Sequence, residues 1–174
     1  MNRQFGPVMQ NGFVVSDLDE ALRHWTETMH VGPFFVFEHV AFENLHFRGA
    51  PADVDITVAI GYSGDYQIEL IVQHNNTPSI YTEFVQQGYL GLQHLGVMTD
   101  DVDAHLEQLA PQGIEPVQYG TTRGGGKFAY LNTDVHPGGM IELIEASDVM
   151  VGAFEMMRTA AQRWDGSNPV RKLG

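Results

Sequence analysis

Hydrophobic and polar positions along the chain predict one set of elements written twice. Residues 9–15 (Met-Gln-Asn-Gly-Phe-Val-Val) read as a short strand ending at Ser16. Ser16, with Asp19 three residues on, has the pattern of a helix N-cap and capping box. Leu18, Ala21, Leu22, Trp25 and Met29 then recur at helical spacing, which predicts an amphipathic helix over 17–30, ended by Gly32-Pro33. Strands follow at 34–37, 40–47, 54–60 and 66–73, separated by turns at 48–53 and 61–65. A connector over 74–91 carries a short helix that opens on Thr77-Pro78 and runs to about Gln87.

The second pass starts with a strand at 92–98 and cap candidates Thr99 and Asp100. Val102, Leu106 and Leu109 form the stripe of a second helix, stopped by Pro111 and Gly113. Strands near 114–119, 127–132 and 139–145 are divided by Gly-rich turns. From Ser147-Asp148 the apolar residues Val149, Ala153, Met156, Met157 and Ala160 mark a C-terminal helix over 147–164. Residues 165–174 form an extended end.

The two passes share residues as well as rhythm. Gln10-Asn-Gly12 corresponds to His94-Leu-Gly96, and Asp17-Leu-Asp19 to Asp101-Val-Asp103. Ile68-Glu69-Leu70-Ile71 near the end of the first pass returns as Ile141-Glu142-Leu143-Ile144. A chain that repeats itself is read first as a repeat, and this period is too long for a solenoid unit. The expectation is an α+β protein of two fused modules, each opening on a strand and a helix that further strands follow. They are a first module over 7–75, a helical connector over 76–91, a second module over 92–146 and a helix and tail over 147–174, all within one domain.

Composition narrows the function. With 174 residues and 43% hydrophobic side chains, the chain is of ordinary globular make-up. No apolar run approaches a membrane span, and with no basic stretch followed by an apolar run from residue 1 onward, a secretory signal is not expected. The formal net charge of −13 repels phosphate backbones and anionic lipid, so neither nucleic acid nor membrane is expected as a partner. There is no cysteine, which excludes disulfides and thiolate metal ligands and fits a cytoplasmic protein.

The chemistry centres on the repeated glutamates. A carboxylate between large aliphatic residues on a strand either alternates outward to a solvated face or points into an enclosed cavity. Buried and unpaired it would cost several kcal/mol, so the inward case calls for a cation. Two such glutamates at equivalent positions, with Gln10 and His94 as a second equivalent pair, favour the inward case, since a pseudo-twofold repeat gathers equivalent positions near one axis. Together they offer one imidazole nitrogen, two carboxylates and an amide oxygen, a neutral set of ligands for a divalent ion. Arg48 and Arg123 are candidates for holding a substrate anion. The Gly124-Gly125-Gly126 loop could cradle phosphate, and His136 could line the mouth of a pocket. His24, His30, His39, His46, His74 and His105 show no ligand spacing.

Module order, the duplicated His/Gln-x-Gly start and the duplicated Glu resemble the vicinal oxygen chelate superfamily. Its members include glyoxalase I, methylmalonyl-CoA epimerase, extradiol dioxygenases and bleomycin-resistance proteins. The resemblance covers about residues 7–147 and implies two tandem βαβββ modules whose strands form a cup-shaped sheet around one metal site. It places the four ligands at Gln10, Glu69, His94 and Glu142, the order used by glyoxalase I of the zinc type. Methylmalonyl-CoA epimerase is similar but has His first and Gln second. Gln10 stands where an extradiol dioxygenase has a histidine, and four intact candidates differ from bleomycin-binding relatives, which lack metal ligands. The basic residues that glyoxalase I sets against glutathione carboxylates have no counterpart here.

The resemblance therefore implies a metal-dependent lyase or isomerase that abstracts a proton α to a carbonyl and stabilises the enediolate. Glu142 would leave the metal to act as base, and Glu69 would serve the opposite face. Zinc is the expected ion, with nickel, cobalt, manganese or iron as alternatives. The substrate would be a small molecule with vicinal oxygens or an acyl thioester, bound with help from Arg123 and His136. A homodimer is expected. An Fe(II) extradiol-type dioxygenase and a non-catalytic protein that binds an antibiotic or aromatic compound are the competing readings.

Overall fold

β1 (Val8–Val14) and β7 (Gly91–Thr99) lie side by side, antiparallel, at the centre of an eleven-stranded sheet. The computed structural model describes residues 4–123 and 126–173. On the β1 side, β6 (Tyr66–Gln73), β5 (Ile56–Ser63), β2 (Phe34–Phe37) and β11 (Val170–Lys172) follow in order. On the β7 side come β10 (Met140–Glu145), β9 (Lys127–Leu131), β8 (Pro116–Thr122), β3 (Phe42–Phe47) and β4 (Ala50–Pro51). β1 is parallel to β6 and β7 is parallel to β10, so the two halves are built alike.

Both faces of the sheet are covered. α1 (Leu18–Arg23) continues into one π-helical turn to Thr28, and Leu18, Ala21, Leu22 and Trp25 pack on Phe34, Val36, Ala59, Ile68 and Leu70. α3 (Val102–Leu109) sets Val102, Leu106 and Leu109 on Val97, Ala129, Leu131 and Leu143 in the same way. The opposite face carries Ile56, Val58, Ile60, Phe128, Tyr130 and Ile144, and α4 (Asp148–Gln162) lies over it through Met150, Phe154 and Met157. Arg158 pins α4 with its guanidinium 2.7 Å from Asp65 in the β5–β6 turn. No helix among the described residues is long and apolar enough to cross a membrane.

The structure corrects several local expectations. The caps are Asp17, Ser79 and Asp101 rather than Ser16, Thr77 and Thr99 or Asp100. In each helix the side chain that reaches the backbone N–H two or three residues on lies one or two positions later than the sequence pattern suggests. Ser79 and Thr82 of α2 (Ile80–Gln86) form a reciprocal capping box. The extended tail is itself a strand, since β11 pairs in parallel with β2.

The larger difference concerns β3. It does not join its neighbours in sequence but crosses to the far end of the sheet and pairs with β8 of the second half. Its partner in sequence, β2, sits near the opposite end, paired to β5 and β11. Only residues 38–41 join them, and the step from Phe37 to Phe42 can span at most about 18 Å. The sheet must therefore curl until its ends nearly meet, which makes it a cup with this link across the rim.

Phe34 is fully buried against α1, and a Cβ added at Gly61 would meet its ring at 2.8 Å. Phe34→Ala is expected to cost about 3–5 kcal/mol in denaturant unfolding; a loss below 1 kcal/mol would contradict this packing.

Candidate metal centre

Strand alternation decides which way the repeated glutamates face. Ile68 and Leu70 of β6 point to the α1 side, so Glu69 points into the cup; on β10, Leu143 is under α3 and Glu142 points inward. β1 and β7 add Gln10 and His94 to the same face. All four side chains are buried. His94 Nε2 lies 3.2 Å from Glu69 Oε2 and 3.3 Å from Glu142 Oε2.

Four buried atoms have no hydrogen-bond partner among the described residues: Gln10 Oε1, Glu69 Oε2, His94 Nε2 and Glu142 Oε2. The His94–glutamate contacts are short enough for electrostatic attraction but lack hydrogen-bond geometry. Leaving two carboxylate oxygens, an amide oxygen and an imidazole nitrogen buried and unpaired is costly, and these are the atom types that bind a divalent cation. One atom comes from each residue, and those of Glu69, His94 and Glu142 lie within 4.8 Å of one another.

The outer partners hold these atoms in place. Gln10 Nε2 donates to Gln67 Oε1 at 2.6 Å, and Gln67 Nε2 donates to the Tyr62 hydroxyl at 2.7 Å, so the Gln10 carbonyl is turned inward. His94 Nδ1 is 2.7 Å from Gln93 Oε1; since that oxygen only accepts, Nδ1 carries the proton and Nε2 points to the centre. The glycines of the repeat serve the same purpose. Gln10 is opposite Gly96 and Gly12 is opposite His94 across the β1–β7 pair. A Cβ at Gly12 would fall inside the His94 ring, and one at Gly96 would overlap Gln10 Oε1. Each module's glycine thus makes room for the other module's donor.

Burial opposes charge on His94, but the Glu142 and Glu69 carboxylates beside Nε2 outweigh it and hold the ring up at about 9. Burial pushes the Glu69 carboxyl above its ordinary value. It also raises the Tyr81 and Tyr130 phenols well above theirs, so both remain neutral donors; Tyr81 donates to the Tyr130 hydroxyl at 3.0 Å, and the Tyr130 ring stands edge-on to His94.

Gln10, Glu69, Glu142, Tyr81 and Tyr130 face a cavity of about 430 Å³ whose walls are mostly apolar, and His94 lies buried beside them. Gln10, Glu69 and Glu142 line its floor; Ile56, Val58, Ile60, Phe128 and Ile144 line the sides, and Met150, Phe154 and Met157 of α4 form the cover. Arg123 is at the edge and makes no ion pair among the described residues. Arg48 is held away from the cavity by two hydrogen bonds to Glu83, at 2.9 and 2.8 Å, which corrects its candidacy as an anion anchor. His136 does not line the cavity either. It is exposed in the turn before β10, with Nδ1 3.0 Å from its neighbour's carbonyl at Pro137. Gly124 and Gly125 of the glycine loop lie outside the described residues.

Sequence reasoning missed Gln67, Gln93 and Tyr62. Period-2 alternation places Gln67 on the face of Glu69, but nothing distinguishes an orienting glutamine from a surface one until its partner is seen.

Residues 9–130 match the model of the Glyoxalase/Bleomycin resistance protein/Dioxygenase superfamily. Comparison with curated proteins gave no match. Among solved structures the chain is similar to methylmalonyl-CoA epimerase from Mycobacterium tuberculosis, with 18% identity, a TM-score of 0.62 and coverage of 87% of this chain and 95% of that one. It is similar to a hypothetical protein from Bacillus halodurans C-125, with 14% identity, a TM-score of 0.59 and coverage of 82% and 95%. It is also similar to a Streptomyces coelicolor methylmalonyl-CoA epimerase variant in complex with 2-nitronate-propionyl-CoA, with 18% identity, a TM-score of 0.53 and coverage of 83% and 97%. The chain belongs to the Glyoxalase/Bleomycin resistance protein/Dioxygenase superfamily.

Two outcomes follow for the centre. Gly12→Ala should bind one ion fewer per chain than wild type while costing about 1–3 kcal/mol by overpacking, read by equilibrium dialysis and thermal unfolding; uptake equal to wild type would refute the fit. A cation must also displace the His94 proton. Apparent affinity should therefore weaken as pH falls below about 9, by about tenfold per pH unit for each proton released. Calorimetric titration in buffers of different ionisation enthalpy measures that release, and an affinity independent of pH between 6 and 8.5 would contradict it.

Proposed function

We propose that this superfamily member is a metal-dependent lyase or isomerase that removes a proton next to a carbonyl in a small organic substrate with adjacent oxygens. The observation that carries this reading is the convergence of four unpaired buried donor atoms at the base of an apolar cavity that Gln10, Glu69 and Glu142 line. Gln10, Glu69, His94 and Glu142 would hold the ion, zinc by preference for a nitrogen–oxygen set of this kind. Bound there, a divalent cation supplies electrophilic polarisation of the carbonyl and charge compensation for the developing enediolate.

The chain supplies the rest. Glu69 and Glu142 enter from strands in the two halves of the sheet, on either side of the β1–β7 pair. Two bases in that arrangement can remove a proton from one face of a carbon and either return it to the opposite face of that carbon, which is epimerisation, or deliver it to the adjacent carbon, which is isomerisation. Glu142 is assigned as the first base. Tyr130 accepts a hydrogen bond from Tyr81 and so keeps its own proton to donate to a substrate oxygen. The side walls and α4 exclude water and hold an apolar substrate body. Arg123 would anchor an anionic end.

The methylmalonyl-CoA epimerase likeness supports an acyl thioester as one substrate class, with the acyl group in the cavity. Homodimerisation is part of the same reading, and Val85, Tyr89, Leu90 and Leu92 are exposed apolar side chains available for it.

The test is exchange of the α-proton with deuterated water, followed by NMR, for 2-hydroxyketones, hemithioacetals and branched acyl thioesters with the zinc-loaded protein. Exchange of one class is expected. Glu142→Gln should slow it by about 10²–10⁴, and Tyr130→Phe by about 10²–10³. Full exchange in Glu142→Gln would overturn its role as base. Tight binding of an aromatic ligand that is unaffected by chelation, with no exchange in any class, would instead identify a binding protein.

A further inference from the structure

We propose that His39, Asp55 and His74 form a second divalent-cation site, separate from the buried centre, that clamps the link across the cavity rim. The three residues are far apart in sequence and come from three strand ends. His39 lies in the 38–41 link, Asp55 immediately precedes β5, and His74 immediately follows β6. The fold brings one potential ligand atom from each to within 4.8 Å of the others.

The cluster has supporting structure. His39 Nδ1 is 2.7 Å from Asp55 Oδ1, and the two imidazole rings are 5.2 Å apart between centroids. His74 Nε2 is 2.8 Å from the hydroxyl of buried Thr57. When that hydroxyl accepts the Nε2 proton, Nδ1 of His74 keeps a lone pair for a cation, the usual arrangement for a metal-bound histidine and its outer partner. The backbone is tied on both sides: His74 N–H donates to Asp55 carbonyl at 2.8 Å, and Val40 N–H donates to Ile56 carbonyl at 2.9 Å. His39 itself adopts a left-handed φ of 52°, which places its ring beside Asp55.

Two imidazoles and one carboxylate select a borderline ion such as zinc, nickel or cobalt over magnesium or calcium. The strongly negative chain raises the local concentration of any cation. His39 and His74 are exposed, so this site binds more weakly than the buried centre. Its consequence is mechanical. Phe37, Glu38, His39, Val40 and Ala41 all line the cavity, so an ion joining His39 to the ends of β5 and β6 fixes the wall of the mouth.

The test is zinc stoichiometry of the full chain by equilibrium dialysis, with hydrogen exchange of the 38–41 amides at one and two equivalents. Two ions per chain are expected in wild type. The double variant His39→Gln/His74→Gln should bind one ion, and His94→Ala should retain one. The second equivalent should slow exchange at 38–41 at least fivefold in wild type and leave the double variant unchanged. The rim site is overturned if the double variant still binds as many ions as wild type, or if two equivalents of zinc leave exchange at 38–41 as fast as in the metal-free protein. A single ion in wild type that is lost in the double variant but kept in His94→Ala would uphold the rim site and refute the buried centre, so the two failures are distinct.

Discussion

The antiparallel pairing of β1 with β7 is the constraint on which the rest depends. Its register sets Gln10 against Gly96 and His94 against Gly12, so each half provides a donor and the space for the other half's donor. The parallel neighbours β6 and β10 then bring Glu69 level with Gly12 and Glu142 level with Gly96. A one-residue slip would turn every one of these side chains to the opposite face. The covered outer face opposes such a slip, because Leu70 and Leu143 would then leave fully buried positions under α1 and α3.

The cup follows from a second constraint, the short link between β2 and β3. A strand handed from one half to the far edge of the other closes the sheet on itself. It creates a cavity that α4 and the tail cover. The resulting space is apolar except at its floor, where the low dielectric strengthens both the cost of unpaired carboxylates and their attraction for a cation. The same enclosure keeps the Tyr81 and Tyr130 phenols protonated. Site and cavity therefore come from one topology, and the rim cluster of His39, Asp55 and His74 stands where the link crosses the opening.

Much of this was legible in the sequence because the repeat wrote it twice. The alternation of Ile68-Glu69-Leu70 and its echo around Glu142 defined two strand faces, and Gln10 and His94 shared a spacing to a following glycine. The family and the α+β architecture followed from those positions. What local pattern could not carry was long-range pairing. β3 reads as an ordinary strand, and nothing within 42–47 says that its partner is β8. The orienting roles of Gln67 and Gln93 are set by partners across the sheet or by rotamer, and the rim histidines meet only because three separate strand ends converge. Ser16 and Thr77 are good caps by residue type, but Asp17 and Ser79 hold the geometry. His136 follows the same lesson, since a histidine near a ligand strand in sequence is turned outward by its loop.

The most direct measurement is anomalous diffraction at the zinc edge from crystals of the zinc-loaded protein. A peak is expected among Gln10 Oε1, Glu69 Oε2, His94 Nε2 and Glu142 Oε2, at ligand distances of about 2.0–2.2 Å. Fully loaded crystals with no peak between these four atoms would contradict the account, whatever other zinc sites they contained.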